Sequence, residues 1–111
     1  MLSISVLNIK DIANTSYAFR GYKDAKDNFS LSDYRMVYCS VSDCTAPSNE
    51  NEYYEICERM FRMSNLGQLD DYNGHSMSVS DVVIITSTVG SRAFYCDSFG
   101  WAEIDTLRVD S

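Results

Sequence analysis

The stretch NGHSMSVSDVVIITSTVGSRAFYCDSFGW (residues 73–101) decides how this chain folds. Residues 82–85 are an unbroken apolar run, Val-Val-Ile-Ile, which suits a strand covered on both faces. Alternation leads into that run, so residues 78–87 are expected to form one strand. TVGSR turns through Gly90, and residues 93–98 return as the second arm of a hairpin. Ser98, Phe99 and Gly100 turn again, and WAEIDTLRV supplies a last short strand.

The polar half of the same stretch holds the chain's only histidine, His75, followed closely by Ser76, Ser78, Ser80 and Asp81. A nucleophilic serine needs a base within hydrogen-bond reach and a third group to orient that base. His75 and Ser76 are neighbours, and adjacent side chains on an extended segment point apart. No G-x-S-x-G elbow, phosphate loop or dinucleotide fingerprint occurs, so neither catalysis nor a cofactor is expected. The alternative is architectural. Gly74 gives freedom to the loop end, and serine and aspartate side chains satisfy exposed amides where the chain changes direction. His75 is then a hydrogen-bonding strut, its tautomer held by a backbone carbonyl or by a carboxylate such as Asp81. This second reading is adopted.

Outward from the hairpin, LSISVLNI (residues 2–9) alternates as a first strand and YRMVYCSV (34–41) reads as a second. Between them runs a polar arm with Tyr17, Phe19 and Tyr22, expected to be irregular with one helical turn within residues 21–28. SDCTAPSNEN (42–51) is a loop. Asn49 with Glu52 three residues on marks a helix start, and residues 51–63 carry Tyr53, Ile56, Cys57, Met60 and Phe61 on one stripe. Glu55 with Arg59, and Glu58 with Arg62, are i,i+4 pairs on the other side. One domain over residues 1–111 is expected, of α+β class: a small, mainly antiparallel sheet with one principal helix packed on one face.

The 111 residues include 45% apolar side chains and no run approaching the ~20 residues of a membrane span. The start shows no basic leader, so a cytoplasmic location is expected. Four cysteines without a C-x-x-C pair, beside a single histidine, argue against a zinc site and are expected to be buried thiols. The net charge of −7 is uneven: residues 1–42 hold five basic and four acidic side chains, residues 43–111 four basic and twelve acidic. Such a surface repels a phosphate backbone, which argues against direct nucleic-acid binding and for a basic protein partner.

The segments from Gly74 to Val83 and from Ala93 to Trp101 resemble the signature of the YodL-like domain family. The opening VLNIKD, the arm SYAFRGY, the strand DYRMVY and the helix ICERMF are similar in the same order, so the resemblance spans nearly the whole chain. Met77, Cys96 and Trp101 stand where that family usually has Leu, Val and Phe. The resemblance implies a protein of Gram-positive bacteria and their mobile genetic elements. It carries over no catalytic residues, leaving His75, Ser76, Ser80, Asp81 and Asp97 as a structural motif. Setting and charge together suggest, by analogy, an anti-CRISPR or antirestriction nuclease inhibitor, with an RNA-guided nuclease as first candidate. The expected contact residues are Glu50, Glu52, Glu55 and Glu58 near the helix start, with Asp70 and Asp71 in the next loop. The runner-up is a protein–protein adaptor of a conjugative element; a hydrolase centred on His75 ranks third.

Overall fold

The computed structural model describes residues 1–104. Strand β1 spans Leu2–Ile9 and is followed by an arm with a 3-10 turn (Ile12–Asn14), one helical turn α1 (Tyr22–Ala25) and a second 3-10 turn (Leu31–Asp33). Then come β2 (Tyr34–Ser42), helix α2 (Glu50–Asn65), β3 (Val82–Ser87), β4 (Gly90–Cys96) and β5 (Trp101–Ile104). The five strands form one sheet in the order β2-β1-β3-β4-β5, and every neighbouring pair is antiparallel.

Register follows from the period-two pattern. Val6 pairs with Val83, which pairs with Phe94, so these three side chains form a row on one face. Leu7, Val82 and Tyr95 form the adjacent row on the other. On the first face lies α2, burying Tyr53, Cys57 and Met60 against Leu2, Ile4, Val6, Val83, Ile85 and Phe94. The stripe read from the sequence is the stripe that packs. Asn49 caps the helix by accepting from the Glu52 amide (3.0 Å), while Glu52 Oε2 accepts from the Ser48 amide (2.7 Å).

The expected α+β class is not what the chain adopts. Strands hold 33% of the described residues and helices 25%, so the antiparallel sheet dominates and α2 is one helix laid against it. The reason lies in the arm. Its aromatics are spaced two or three apart, which makes no helical stripe, so it yields only the four-residue α1. It covers the second face in irregular form instead, through Tyr17, Ala25 and partly buried Tyr22 and Phe29. Ring centroids lie 5.2 Å apart for Tyr22 and Tyr95 and 5.4 Å for Phe29 and Tyr34. The run at 82–85 is therefore covered on both sides, as its composition implied.

Several boundaries shift: α2 runs Glu50–Asn65 where residues 51–63 were expected, and β2 reaches Ser42. β3 starts at Val82, because residues 78–81 fold into a turn. β4 starts at Gly90, which pairs with Ser87 across a two-residue link, Thr88 and Val89. The last strand is described over Trp101–Ile104, and the remainder of the expected WAEIDTLRV strand lies outside the described residues. The cysteines also divide: Cys57 and Cys96 are buried, whereas Cys39 on the edge strand and Cys44 in the following loop are exposed, and none is in a disulfide. No described helix is long and apolar enough to cross a membrane.

Candidate functional site

The polar stretch before β3 is a fastening. The Asp81 amide donates to the Ser78 carbonyl (3.1 Å), and the Asp81 carboxylate accepts from the Ser78 amide (2.9 Å), closing the turn from both ends. Within it Ser80 sits at φ +88, the left-handed value that a type II turn requires at its third residue. Glycine is the usual occupant. Serine is retained here with three bonds: its amide donates to the Cys96 carbonyl (2.9 Å), its carbonyl accepts from the Tyr34 hydroxyl (2.6 Å), and its hydroxyl accepts from the Phe19 amide (3.0 Å). Asp97 does the same at the far end of β4, accepting from the amides of Tyr22 (3.1 Å) and Ser98 (2.8 Å). The motif thus ties the arm to the sheet.

His75 Nδ1 lies 2.8 Å from the Ser76 carbonyl and 3.9 Å from Asp81 Oδ2. A carbonyl only accepts, so Nδ1 carries the proton in that bond. The Ser76 hydroxyl donates to the Ser64 carbonyl (3.5 Å) and the Ser78 hydroxyl to Asp81 (3.5 Å), so neither is engaged with the imidazole. Asp81 is 1% exposed, and burial pushes its carboxyl up from 3.8 to about 6 against the opposing effects of Ser78 and His75.

Beside Asp81 sits a residue that was not singled out in the sequence. Asn8 continues the Leu2, Ile4, Val6 face of β1 but is polar, fully buried, and without a hydrogen bond at either Nδ2 or Oδ1. It is close enough to Asp81 and Tyr72 to favour the ionised form of each. A Cβ at Gly74 would run into Asn8 Oδ1 and Val37 Cγ1, which accounts for glycine there. In front lies a cavity of about 290 Å³ lined by Ser64, Gly67, Leu69, Tyr72, Gly74 and Ser76. An asparagine in an alternating apolar strand was the available signal.

The carboxylates expected to meet a partner fall into separate places. Glu52, Glu55 and Glu58 line an open groove of about 720 Å³ between α2 and the preceding loop, together with Pro47, Arg59 and Arg62. Glu50 does not join them as a free charge. Arg92 on β4 bridges Glu50 (3.1 Å) and Glu103 (2.6 Å), and its guanidinium lies 4.2 Å from the centre of the Tyr53 ring. Glu103's carboxyl is lowered by that contact. Glu58 Oε1 accepts from Trp101 Nε1 (2.9 Å), which fixes the tryptophan beside Phe61 at the rim of the core. Glu55 makes no hydrogen bond or ion pair among the described residues, and the expected pairs of Glu55 with Arg59 and Glu58 with Arg62 are not closed. Asp70 and Asp71 are exposed but follow the C-terminal end of α2, ~24 Å of helix away from its start.

Among the described residues no three His, Cys, Asp or Glu side chains are placed to share a metal ion. Burial raises the Cys57 thiol far up and the Cys96 thiol to about 12, so both are inert packing groups. In comparison with known proteins, the model of the YodL-like domain matches residues 3–106. No curated protein and no solved structure matches the chain.

Proposed function

The chain belongs to the YodL-like domain family, and from that membership we propose a non-enzymatic binding protein of a mobile genetic element, acting as a counter-defence inhibitor. In this reading it occupies the basic nucleic-acid-binding surface of a host nuclease, an RNA-guided nuclease being the first candidate. The observation that supports it is the groove along α2. Glu52, Glu55 and Glu58 line it at steps of three residues, so successive carboxylates advance ~4.5 Å along the helix axis as a row of negative charge. Arg59 and Arg62 line the same groove, so a partner's cations must find the carboxylates between them. Association is then steered by charge and weakened by salt.

The experiment is a cleavage assay with purified RNA-guided nuclease, titrated with the parent chain and with Glu55→Lys. Glu55 is the informative position, because reversing Glu52 would also remove the bond to the Ser48 amide. Expected is slower association and weaker inhibition for Glu55→Lys, with an unchanged melting temperature. Inhibition that leaves guide and target loading intact, and that is indifferent to Glu55→Lys and to salt, refutes the mimicry.

A further inference from the structure

Asn73 and Gly74 form the one Asn-Gly pair in the chain; the other six asparagines precede Ile, Thr, Phe, Glu or Leu. Asparagine is chemically labile, and most so before glycine, where no side chain hinders the next backbone nitrogen from reaching the asparagine's own amide carbon. Both residues are exposed and lie in neither helix nor strand. The Gly74 amide donates no hydrogen bond among the described residues, so its nitrogen is not engaged elsewhere.

The reaction needs only water. The Gly74 nitrogen attacks Asn73 Cγ, a five-membered imide forms, and the side-chain nitrogen leaves as ammonia, carrying the displaced amide proton. Water then opens the ring at either carbonyl. One product is aspartate. The other is isoaspartate, in which the main chain runs through the side-chain carboxyl and gains a methylene. The effect of that methylene is set by the seat of Gly74. The Asn73 amide donates to the Val37 carbonyl (2.8 Å), which pins the link on one side. On the other, a Cβ at Gly74 would overlap Asn8 Oδ1 and lie 2.5 Å from Val37 Cγ1, so Gly74 can be displaced only outward.

We propose that Asn73 is a self-deamidation site, and that its isoaspartate product lifts residues 72–76 off β1 and β2. The seated segment lies against Asn8, whose two polar side-chain atoms are buried with no hydrogen bond. Lifting admits water to them, so the open state recovers solvation that the closed state forgoes. The new carboxylate also adds a negative charge close in sequence to Asp70 and Asp71. Conversion runs one way, so it separates young molecules, with the segment seated, from old ones opened at this end of the sheet. None of residues 72–76 lines the groove along α2, so the site does not rest on the inhibitor reading.

The test incubates the full chain, folded and unfolded in guanidinium, in warm, mildly alkaline buffer, and maps amide-to-acid conversion by peptide mass spectrometry. Expected in the folded chain is conversion at Asn73 ahead of every other asparagine, at a rate within ~10-fold of that in guanidinium. Asn73→Gln should show none at that position. The isoaspartate form, isolated by chromatography, should melt below the parent, with faster amide exchange across residues 72–76. Freshly purified Asn73→Asp carries the new charge on an unaltered backbone and should melt with the parent. The proposal is overturned by folded-state conversion slower than that limit, or by faster conversion at another asparagine. It is equally overturned by an isoaspartate form that melts and exchanges like the parent, or by an Asn73→Asp protein that melts as low as the isoaspartate form.

Discussion

Replacing Asp81 by Asn should change how stability responds to pH, and the sign can be worked out. Asp81 is 1% exposed, and burial raises its carboxyl from 3.8 to about 6. A carboxyl whose pKa is higher folded than unfolded binds its proton more tightly in the folded chain. The folded state is therefore favoured in acid, and that advantage is lost as pH rises through about 6. Keeping Asp81 ionised near neutrality costs ~3 kcal/mol relative to the protonated state, taking ~1.4 kcal/mol per tenfold change. Between pH 7 and pH 5 the cost falls by ~1.3 kcal/mol by the same linkage. The substituted asparagine would keep the shape and an acceptor for the Ser78 amide but cannot ionise. Urea denaturation of both proteins across that range isolates the group, because the remaining groups are common to the two. The groups next to the Asp81 carboxylate are Ser78, His75 and Asn8, and the titratable Tyr34, Tyr72, Tyr95 and Cys96 sense its charge from further off. His75, 3.9 Å away, is the one cation donor among them, so the comparison is repeated in a His75→Gln background. Expected is a gain of ~1.3 kcal/mol for the parent over Asp81→Asn on acidification, or ~5–10 °C in Tm. A difference that stays constant, or a parent that weakens relative to the variant in acid, would refute the reasoning. The Ser78 amide would then be holding the carboxylate ionised more strongly than burial opposes it.

Phe94 is fully buried between Val83 and the Tyr53 and Tyr54 rings, so Phe94→Ala should cost ~3–5 kcal/mol and leave little or no folded protein by circular dichroism; an unchanged melting temperature would place the core elsewhere. His75→Gln should lower stability by no more than ~1 kcal/mol and leave partner binding intact, because the half-exposed ring makes one bond to the Ser76 carbonyl. A His75→Gln protein of native stability that has lost its activity would return the histidine to a catalytic role. Ser80→Ala keeps the unfavourable φ but loses the bond to Phe19, and should cost ~1–2 kcal/mol with faster amide exchange at Phe19; unchanged exchange there would show that the arm is held by its aromatics alone.

What was legible in the sequence was whatever repeats locally. The alternation in LSISVLNI and the stripe Tyr53, Cys57, Met60 each report a face directly, and both faces pack as read. The balance of classes was not legible, because it turned on the arm, whose packing comes from rings such as Phe29 and Tyr95 meeting across the fold. The candidate site divides in the same way. The turn chemistry of Ser78 and Asp81 operates over three residues and could be inferred. Glu50's neutralisation by Arg92 spans forty-two residues and could not. Nor could the left-handed backbone of Phe19, which is imposed by Ser80 from another part of the chain.

The strand order β2-β1-β3-β4-β5 has a consequence for how the chain is made. β1 is the first of these strands to leave the ribosome, yet in the finished sheet it is an interior strand, flanked by β2 and β3. Its β2 partner becomes available once residue 42 has emerged, but its β3 partner waits until residue 87 is free. Through that interval Leu2, Ile4 and Val6 have no β3 beside them, and no completed α2 over them until residue 65 has emerged, while one side of β1 offers an open row of amides and carbonyls. Synthesis at ~5–20 residues per second makes the exposure last several seconds. The Asn8 that interrupts the apolar row, with Ser3, Ser5 and Lys10 around it, lowers the tendency of that nascent edge to pair with its neighbours on other ribosomes.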